Sequence, residues 1–294
     1  MTPASLNNSD AKILDGRTLA NKIREKLSAE VQTIKKSTGK VPRFVNIVLG
    51  DSHSACSYAN SQKKTAKQIG IDYKLISFPV ATSQDELIAY VQRLNQDSAV
   101  NGIMIHKPLP SHIDYRIVAN YVDVNKDLEG INVTNIGKMI LGETTIIPCT
   151  PAAVMEHIKS TGISLRGKEA VIIGHSEIVG KPLSLLLLGE YATVTVCHIA
   201  TSEAGKLIEH VQKADILVVA AGKASLVKGE WIKKGAVVID VGINQVGDAV
   251  KGDVEFETAQ KVASYITPVP GGVGPVTVVM LMKNGIEAFK IQMK

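Results

Sequence analysis

The chain has 294 residues, 45% hydrophobic and 21% charged, with a formal net charge of +5, enough for one large or two modest domains whose core needs no covalent staples. That mild basicity calls for no nucleic-acid partner, 4% aromatics leave little for base stacking, and a small anionic substrate or cofactor suits the balance. Cys56, Cys149 and Cys197 are an odd number without short spacing, which argues against a disulfide framework or a thiolate zinc site and fits a reducing cytosol; no apolar run reaches the ~20 residues of a membrane span, and no signal peptide is read at the start.

Residues 1–10 are polar and expected to fray. From Gly16 to about Lys36, Leu19, Ile23, Leu27, Val31 and Ile34 recur at helical spacing. Residues 41–50 read as a buried strand, 55–69 as a helix stopped by Gly70, 71–80 as a strand, 83–97 as a helix and 102–105 as a short buried strand broken by Pro108 and Pro110. A polar stretch, 123–135, follows. A new helix then opens with Thr150 as N-cap and Pro151 at its first position. Residues 169–174, 192–197, 215–220 and 236–242 are four further buried strands with helices between them, and 275–292 reads as a closing helix. Alternation of this kind predicts an α/β protein of two domains with mostly parallel sheets. The expected boundaries are 1–147 with 275–294 for one domain and 148–274 for the other, with ligands at their junction.

Two segments carry chemistry. Gly174-His-Ser-Glu-Ile-Val-Gly180 sits between a strand and a helix, where small residues let backbone approach a pyrophosphate. Ser176 replaces the middle glycine of the usual fingerprint, and a plain strand–helix turn explains the segment equally well by itself. Thr267-Pro-Val-Pro-Gly-Gly-Val-Gly-Pro-Val-Thr277 is a stiff loop ahead of a helix, either a ligand cradle or a joining elbow.

Together with Leu14-Asp-Gly-Arg17, Gly50-Asp51, Tyr58, Pro108-Leu-Pro110, Lys126-Asp127, Pro148-Cys-Thr-Pro151, Ala192-Thr-Val-Thr195, Cys197-His198 and Val241-Gly-Ile-Asn244, these segments resemble the methylenetetrahydrofolate dehydrogenase/methenyltetrahydrofolate cyclohydrolase family over residues 12–290. The resemblance implies a catalytic, folate-binding α/β domain, a Rossmann-type NAD(P)-binding domain and a C-terminal helix returning to the first. It also implies a cytoplasmic homodimer whose partners are small molecules, with a tetrahydrofolate derivative as substrate. The implied catalytic positions are Tyr58, Gln62 and His106; the substrate contacts are Tyr58, Lys107, Glu129, Pro270, Gly271 and Gly272. The implied cofactor contacts are Gly174, His175, Ser176, Ile178, Gly180, Ile243, Gly274 and Thr277. No metal is expected.

The departures fall in the folate motifs. The family pattern Ser-x-x-Tyr-x-x-x-Lys reads Ala55-Cys-Ser-Tyr58-Ala-Asn-Ser-Gln62, and Lys63 is turned by roughly 100° around the helix. The family glutamine before Leu-Pro-Leu-Pro is His106, its leucine is Lys107, and the family aspartate is Glu129. Glutamine cannot titrate, so cyclohydrolase activity is expected to be weak or absent. His106, expected to titrate near neutrality, or Lys107 is a candidate replacement; the plainer readings are a strand-end histidine bonded to backbone, a neutral spacer at Gln62 and a solvated acid at Glu129. At the nucleotide end His175 stands where NADP-using relatives often carry arginine, and Ile199-Ala200 where they carry Ser-Arg or Ser-Lys, which leans the cofactor from NADP towards NAD. Cys149 and Cys197 read as packed thiols, Asp240 as structural and Trp231 as a core-edge residue. The alternatives are an ordinary bifunctional enzyme, a non-catalytic folate- or nucleotide-binding paralogue, and an unrelated dehydrogenase on the same scaffold.

Overall fold

A computed structural model describes residues 10–50, 53–143 and 145–294, without the side chains of 53–55. Of residues 1–10, expected to fray, all but Asp10 lie outside the described residues, as does Asp51 of the Gly50-Asp51 motif. In chain order the elements are β1 (Lys12–Ile13), α1 (Gly16–Thr38), β2 (Arg43–Leu49), α2 (His53–Ile69), β3 (Asp72–Phe78), α3 (Gln84–Gln96), β4 (Gly102–Ile105), α4 (Tyr115–Asn120), α5 (Val133–Ile140) and α6 (Cys149–Ser160). There follow β5 (Glu169–Ile173), α7 (Gly180–Gly189), β6 (Thr193–Cys197), α8 (Ile199–Glu203), α9 (Leu207–Lys213), β7 (Ile216–Val219), β8 (Val237–Asp240), β9 (Asn244–Val246), β10 (Ala249–Lys251), α10 (Phe256–Ala259), β11 (Tyr265–Ile266) and α11 (Val273–Gln292). The described residues divide into two compact units, one of residues 10–19 with Thr150–Val276, the other Ala20–Cys149 with Thr277–Lys294.

The unit of residues 20–149 and 277–294 holds a parallel sheet in the order β3-β2-β4. Strand alternation sends Val45, Ile47, Leu49, Ile103 and Ile105 to the face covered by Leu87, Val91 and Leu94 of α3. Phe44 and Met104 face the other way, against Ala66 and Ile69 of α2 and Leu281, Met282 and Ile286 of α11. At Gly285 a Cβ would run into the Phe44 ring, so glycine sets how closely α11 lies on β2. Ser83 and Glu86 form a capping box at the start of α3. At its far end the buried Lys126 donates from Nζ to the carbonyls of Leu94, Asn95 and Asp97 at 2.8–3.0 Å. This cation satisfies three terminal acceptors and complements the helix dipole. Lys126→Met is expected to cost about 2–3 kcal/mol, read as a lower denaturant midpoint at unchanged slope.

Two short helices were not anticipated. The side chains of Asp114 and Asn132 accept the backbone N–H of Arg116 and Thr134, so residues that look like loop are N-caps of α4 and α5. The next helix starts at Cys149, which places Thr150 inside its first turn rather than at the expected N-cap.

The second unit carries a six-stranded parallel sheet, β1-β11-β8-β7-β5-β6. The four expected strands are the contiguous run β8-β7-β5-β6, with β6 at the edge, and Ile216–Val219 is buried throughout, as a sheet covered on both faces requires. β1 and β11 extend it, with Lys12 opposite Tyr265 and Ile13 opposite Ile266. This pairing places residues 10–19 in this unit, which corrects the assignment of that stretch, within 1–147, to the other. Val171, Ile173, Leu217, Val219 and Val238 pack with Leu207 and Val211 of α9, and Trp231 lies against the edge of that core. Cys197 is buried within it, and burial pushes its thiol pKa up.

Candidate active site

Tyr58 and Gln62 stand one helical turn apart on the same face of α2. Gln62 has no exposed surface. Its Oε1 accepts the Tyr73 hydroxyl at 3.0 Å, and its Nε2 donates towards Met104 Sδ at 3.5 Å. Gln62 also hydrogen-bonds the Tyr58 side chain, while loss of solvation drives the Tyr58 phenol above its ordinary range, so both tyrosines remain neutral. The amide thus works as a neutral spacer that locks two phenols and a thioether.

His106 follows β4, where its backbone N–H donates to the Ile47 carbonyl at 2.8 Å. Its imidazole is 1% exposed and meets the Tyr58 ring edge-on, with centroids 6.0 Å apart. Burial pushes its pKa down to about 4. The expected titration near neutrality is therefore corrected: removing the imidazolium from water costs more than its surroundings return, and His106 is uncharged at pH 7. Lys107 does not turn towards the Tyr58–Gln62 pair; its ammonium sits over the Tyr115 ring, 4.4 Å from the centroid.

The Tyr115 hydroxyl donates to Glu129 Oε2 at 2.7 Å. Loss of solvation raises the Glu129 carboxyl to about 7, against the opposing pull of the Tyr115 hydrogen bond and the Lys107 charge. Glu129 is thus not the freely solvated acid of the plainer reading. Its backbone is set by Asp127, whose carboxylate accepts N–H groups from Glu129, Gly130, Asn132 and the Asn135 side chain at 2.9–3.1 Å. Cys149 Sγ donates to the Leu128 carbonyl at 3.3 Å, and Asn284 Nδ2 ties that carbonyl to Ile147's. The Cys149 thiol is held well above its ordinary pKa by loss of solvation and the nearby Glu129, as a packed, unreactive thiol should be. Tyr73, Tyr115 and Asn284 were missed because no local motif marks them; each reaches its partner through the fold.

The Glu129 shift has a measurable sign. A carboxyl raised from 4.5 to about 7 on folding makes the native state bind more protons, so its contribution to stability is full below pH 4.5 and is lost as pH rises through 7. Thermal melts across that window should show Glu129→Gln gaining stability relative to the unmutated chain as pH rises; parallel profiles would contradict the shift.

In the other unit, strand order reverses at β5, with β6 on one side and β7 on the other, the position where open α/β sheets take ligands. Gly174 leaves β5 at φ +118°, and a Cβ there would strike the Ala220 carbonyl. A Cβ at Gly180, the first residue of α7, would strike the Gly174 carbonyl. The loop between them is held by Ser176, whose Oγ accepts Val179 N–H at 3.2 Å and whose carbonyl accepts Lys181 N–H at 3.0 Å. Around the carboxyl ends of β5, β6 and β8, Ile178, Ile199 and Ile243 are 43%, 71% and 71% exposed. Bare apolar side chains around a backbone cradle fit a flat dinucleotide. The His175 and His198 rings lie 5.2 Å apart at the ends of β5 and β6.

Asp253, absent from the sequence reading, organises the adjacent turn. Oδ2 accepts from Ala221 and Gly222 N–H at 2.6 and 2.8 Å, and Oδ1 from Lys223 N–H and Asn244 Nδ2 at 2.9 and 2.8 Å. Asp240 at the end of β8 is structural as expected, accepting N–H from Gly242, Asp253 and Val254. Pro270, Gly271 and Gly272 belong to this unit; Gly271, at φ +106°, accepts Gly16 N–H at 2.9 Å. Gly274 and Thr277 lie in the first turns of α11. Among the described residues no group of three or more His, Cys, Asp or Glu side chains is placed to hold a metal, and no helix is long and apolar enough to cross a membrane.

Family models agree with this division of labour. Residues 14–129 match the tetrahydrofolate dehydrogenase/cyclohydrolase catalytic domain, and 148–293 match the NAD(P)-binding domain of the same family. The bifunctional protein FolD of Acetivibrio thermocellus is 47% identical over 286 residues, covering 97% of this chain and 99% of that protein; the Bacillus subtilis protein is 46% identical over 281 residues, 95% and 98%. The crystal structure of Trypanosoma brucei methylenetetrahydrofolate dehydrogenase-cyclohydrolase, complexed with NADP and an inhibitor, superposes with a TM-score of 0.93 at 38% identity over 97% of this chain and 99% of that one. With a half-buried tyrosine beside a buried amide in one unit, a glycine-framed strand–helix loop in the other and both family models matched, the chain belongs to the tetrahydrofolate dehydrogenase/cyclohydrolase family.

Proposed function

We propose that this protein oxidises 5,10-methylenetetrahydrofolate with NAD(P) and hydrolyses the methenyl product weakly or not at all. Gln62 carries the reading: the position where the family pattern has a lysine holds a fully buried amide already engaged by Tyr73 and Met104. Hydride departure is driven by the lone pairs of the substrate's own N5 and N10 and asks the protein mainly for placement. Bound nicotinamide supplies the hydride acceptor. Adding water to the methenyl cation asks more, because a proton must be removed and delivered. Gln62 has no proton to exchange, and His106, with its pKa near 4, is a weak base and carries no acidic proton at pH 7.

Tyr58, Gln62 and His106 are assigned to the reacting end of the substrate, with Lys107 and Glu129 holding it through polar contacts. Pro270, Gly271 and Gly272 keep the substrate role that the resemblance implies. Gly174, His175, Ser176, Ile178, Gly180, Ile243, Gly274 and Thr277 are assigned to the nucleotide. A preference for NAD over NADP is supported by Ile199 and Ala200, which offer no cation to a 2′-phosphate. We also read the protein as a cytoplasmic homodimer, an assembly that light scattering on the purified chain would test.

Methylenetetrahydrofolate mixed with the purified protein and either nucleotide should give rising methenyl absorbance, faster with NAD. Absence of turnover with both removes the proposal. The second reading, an ordinary bifunctional enzyme, is favoured by the bifunctional relatives named above and by a carboxyl at Glu129 poised near neutrality. Decay of added methenyltetrahydrofolate at the buffer rate would exclude it.

A further inference from the structure

Asn46 stands in the middle of β2 with no exposed surface, and neither its Nδ2 nor its Oδ1 has a hydrogen-bond partner. Strand alternation puts it on the Phe44 face, away from Val45 and Ile47. Its register partner on β4 is Met104, the residue whose sulfur receives Gln62 Nε2. Two residues further on, His106 continues the same line, tied to β2 through Ile47, and its Nε2 is also buried without a partner. Neighbouring strands lie about 4.8 Å apart and rise about 3.3 Å per residue, which sets the Asn46 and His106 Cα atoms roughly 8 Å from each other.

Buried polar side-chain atoms are nearly always hydrogen-bonded, to protein or to ordered water. Three unmatched atoms on one face of one three-stranded sheet therefore point to a shared guest. Its chemistry is constrained. The amide offers donors and an acceptor, the imidazole nitrogen takes either role by tautomer, and neither group is charged. An ion would find no counter-charge in this pair. A water molecule matches donor to acceptor on both sides and spans the separation when the side chains lean together.

We infer that Asn46 and His106 form an internal hydration site, in which a water molecule bridges the Asn46 amide to His106 Nε2 beside Met104 and Gln62. The bridge fixes the tautomer and tilt of the imidazole that meets Tyr58 edge-on, which makes Asn46 a positioning residue for His106.

A crystal structure at a resolution that shows ordered water is expected to contain density within hydrogen-bond distance of both side chains; a dry site overturns the inference. Asn46→Leu, close in size, gives an independent reading. With the site hydrated, the substitution evicts the water, leaves His106 Nε2 unmatched and lowers Tm. With the site dry, it removes an unmatched amide, and a Tm that holds or rises overturns the inference. Should Asn46→Leu not fold, nitrogen NMR of the unmutated protein decides: a His106 Nε2 shift typical of a hydrogen-bonded nitrogen supports the bridge, and that of a free nitrogen overturns it.

Discussion

Gln62→Lys is expected to raise methenyltetrahydrofolate hydrolysis at least about 100-fold above the unmutated chain, the lower end of what a positioned general acid or base contributes. The substitution puts an amine on the face of α2 that already carries Tyr58, next to the Tyr73 hydroxyl. Burial there lowers the pKa of the amine and lets it exchange a proton near neutrality. It also removes the bonds from Tyr73 and to Met104, so a stability loss of about 1–3 kcal/mol should accompany the gain. Hydride transfer should change only a few-fold, because that step depends on placement. Gln62→Met, similar in length and without a proton, is the control and should gain nothing. A folded Gln62→Lys protein that leaves methenyltetrahydrofolate decaying at the buffer rate would show that the pocket serves some other substrate.

Asp253→Ala is expected to be the most damaging single change in the nucleotide-binding unit. The carboxylate has no exposed surface and accepts four N–H groups, three of them consecutive backbone donors of Ala221, Gly222 and Lys223. Truncation strands those donors, at a cost of about 3–5 kcal/mol. At about 2–4 °C per kcal/mol, Tm should fall by roughly 10 °C. The turn after β7 also loses its anchor beside the cradle framed by Gly174, so NAD(P) affinity should fall with it. Asp248→Ala, at an exposed position in the β9–β10 turn, should move Tm by less than about 1 °C. Similar melts for the two variants would contradict the role given to Asp253.

The legibility of this protein differs by scale. Residues 102–105 and 216–219 announce themselves as strands because a parallel sheet covered on both faces demands unbroken apolar runs. The glycines at 174 and 180 were legible for the same kind of reason: each stands where any Cβ would strike backbone. By contrast β1 and β11, two residues each, are too short to carry a period; pairing makes them strands, β11 against β8 and β1 against β11. That pairing moved the N-terminal segment from one unit to the other. Asn132 read as part of a polar stretch because a cap and a loop share the same chemistry until the helix behind the cap is seen.

By itself the sequence determined the alternating α/β order, the two-unit organisation, the family and the substitution of an amide for a titratable amine at position 62. Tertiary structure alone decided what that amide touches, that His106 is neutral, that Glu129 titrates near 7, and that Asp253 anchors a turn. The physical reason is range. Strand and helix patterns arise from neighbours a few residues apart, whereas solvation and hydrogen-bond partners depend on chain segments that meet only when the sheet forms.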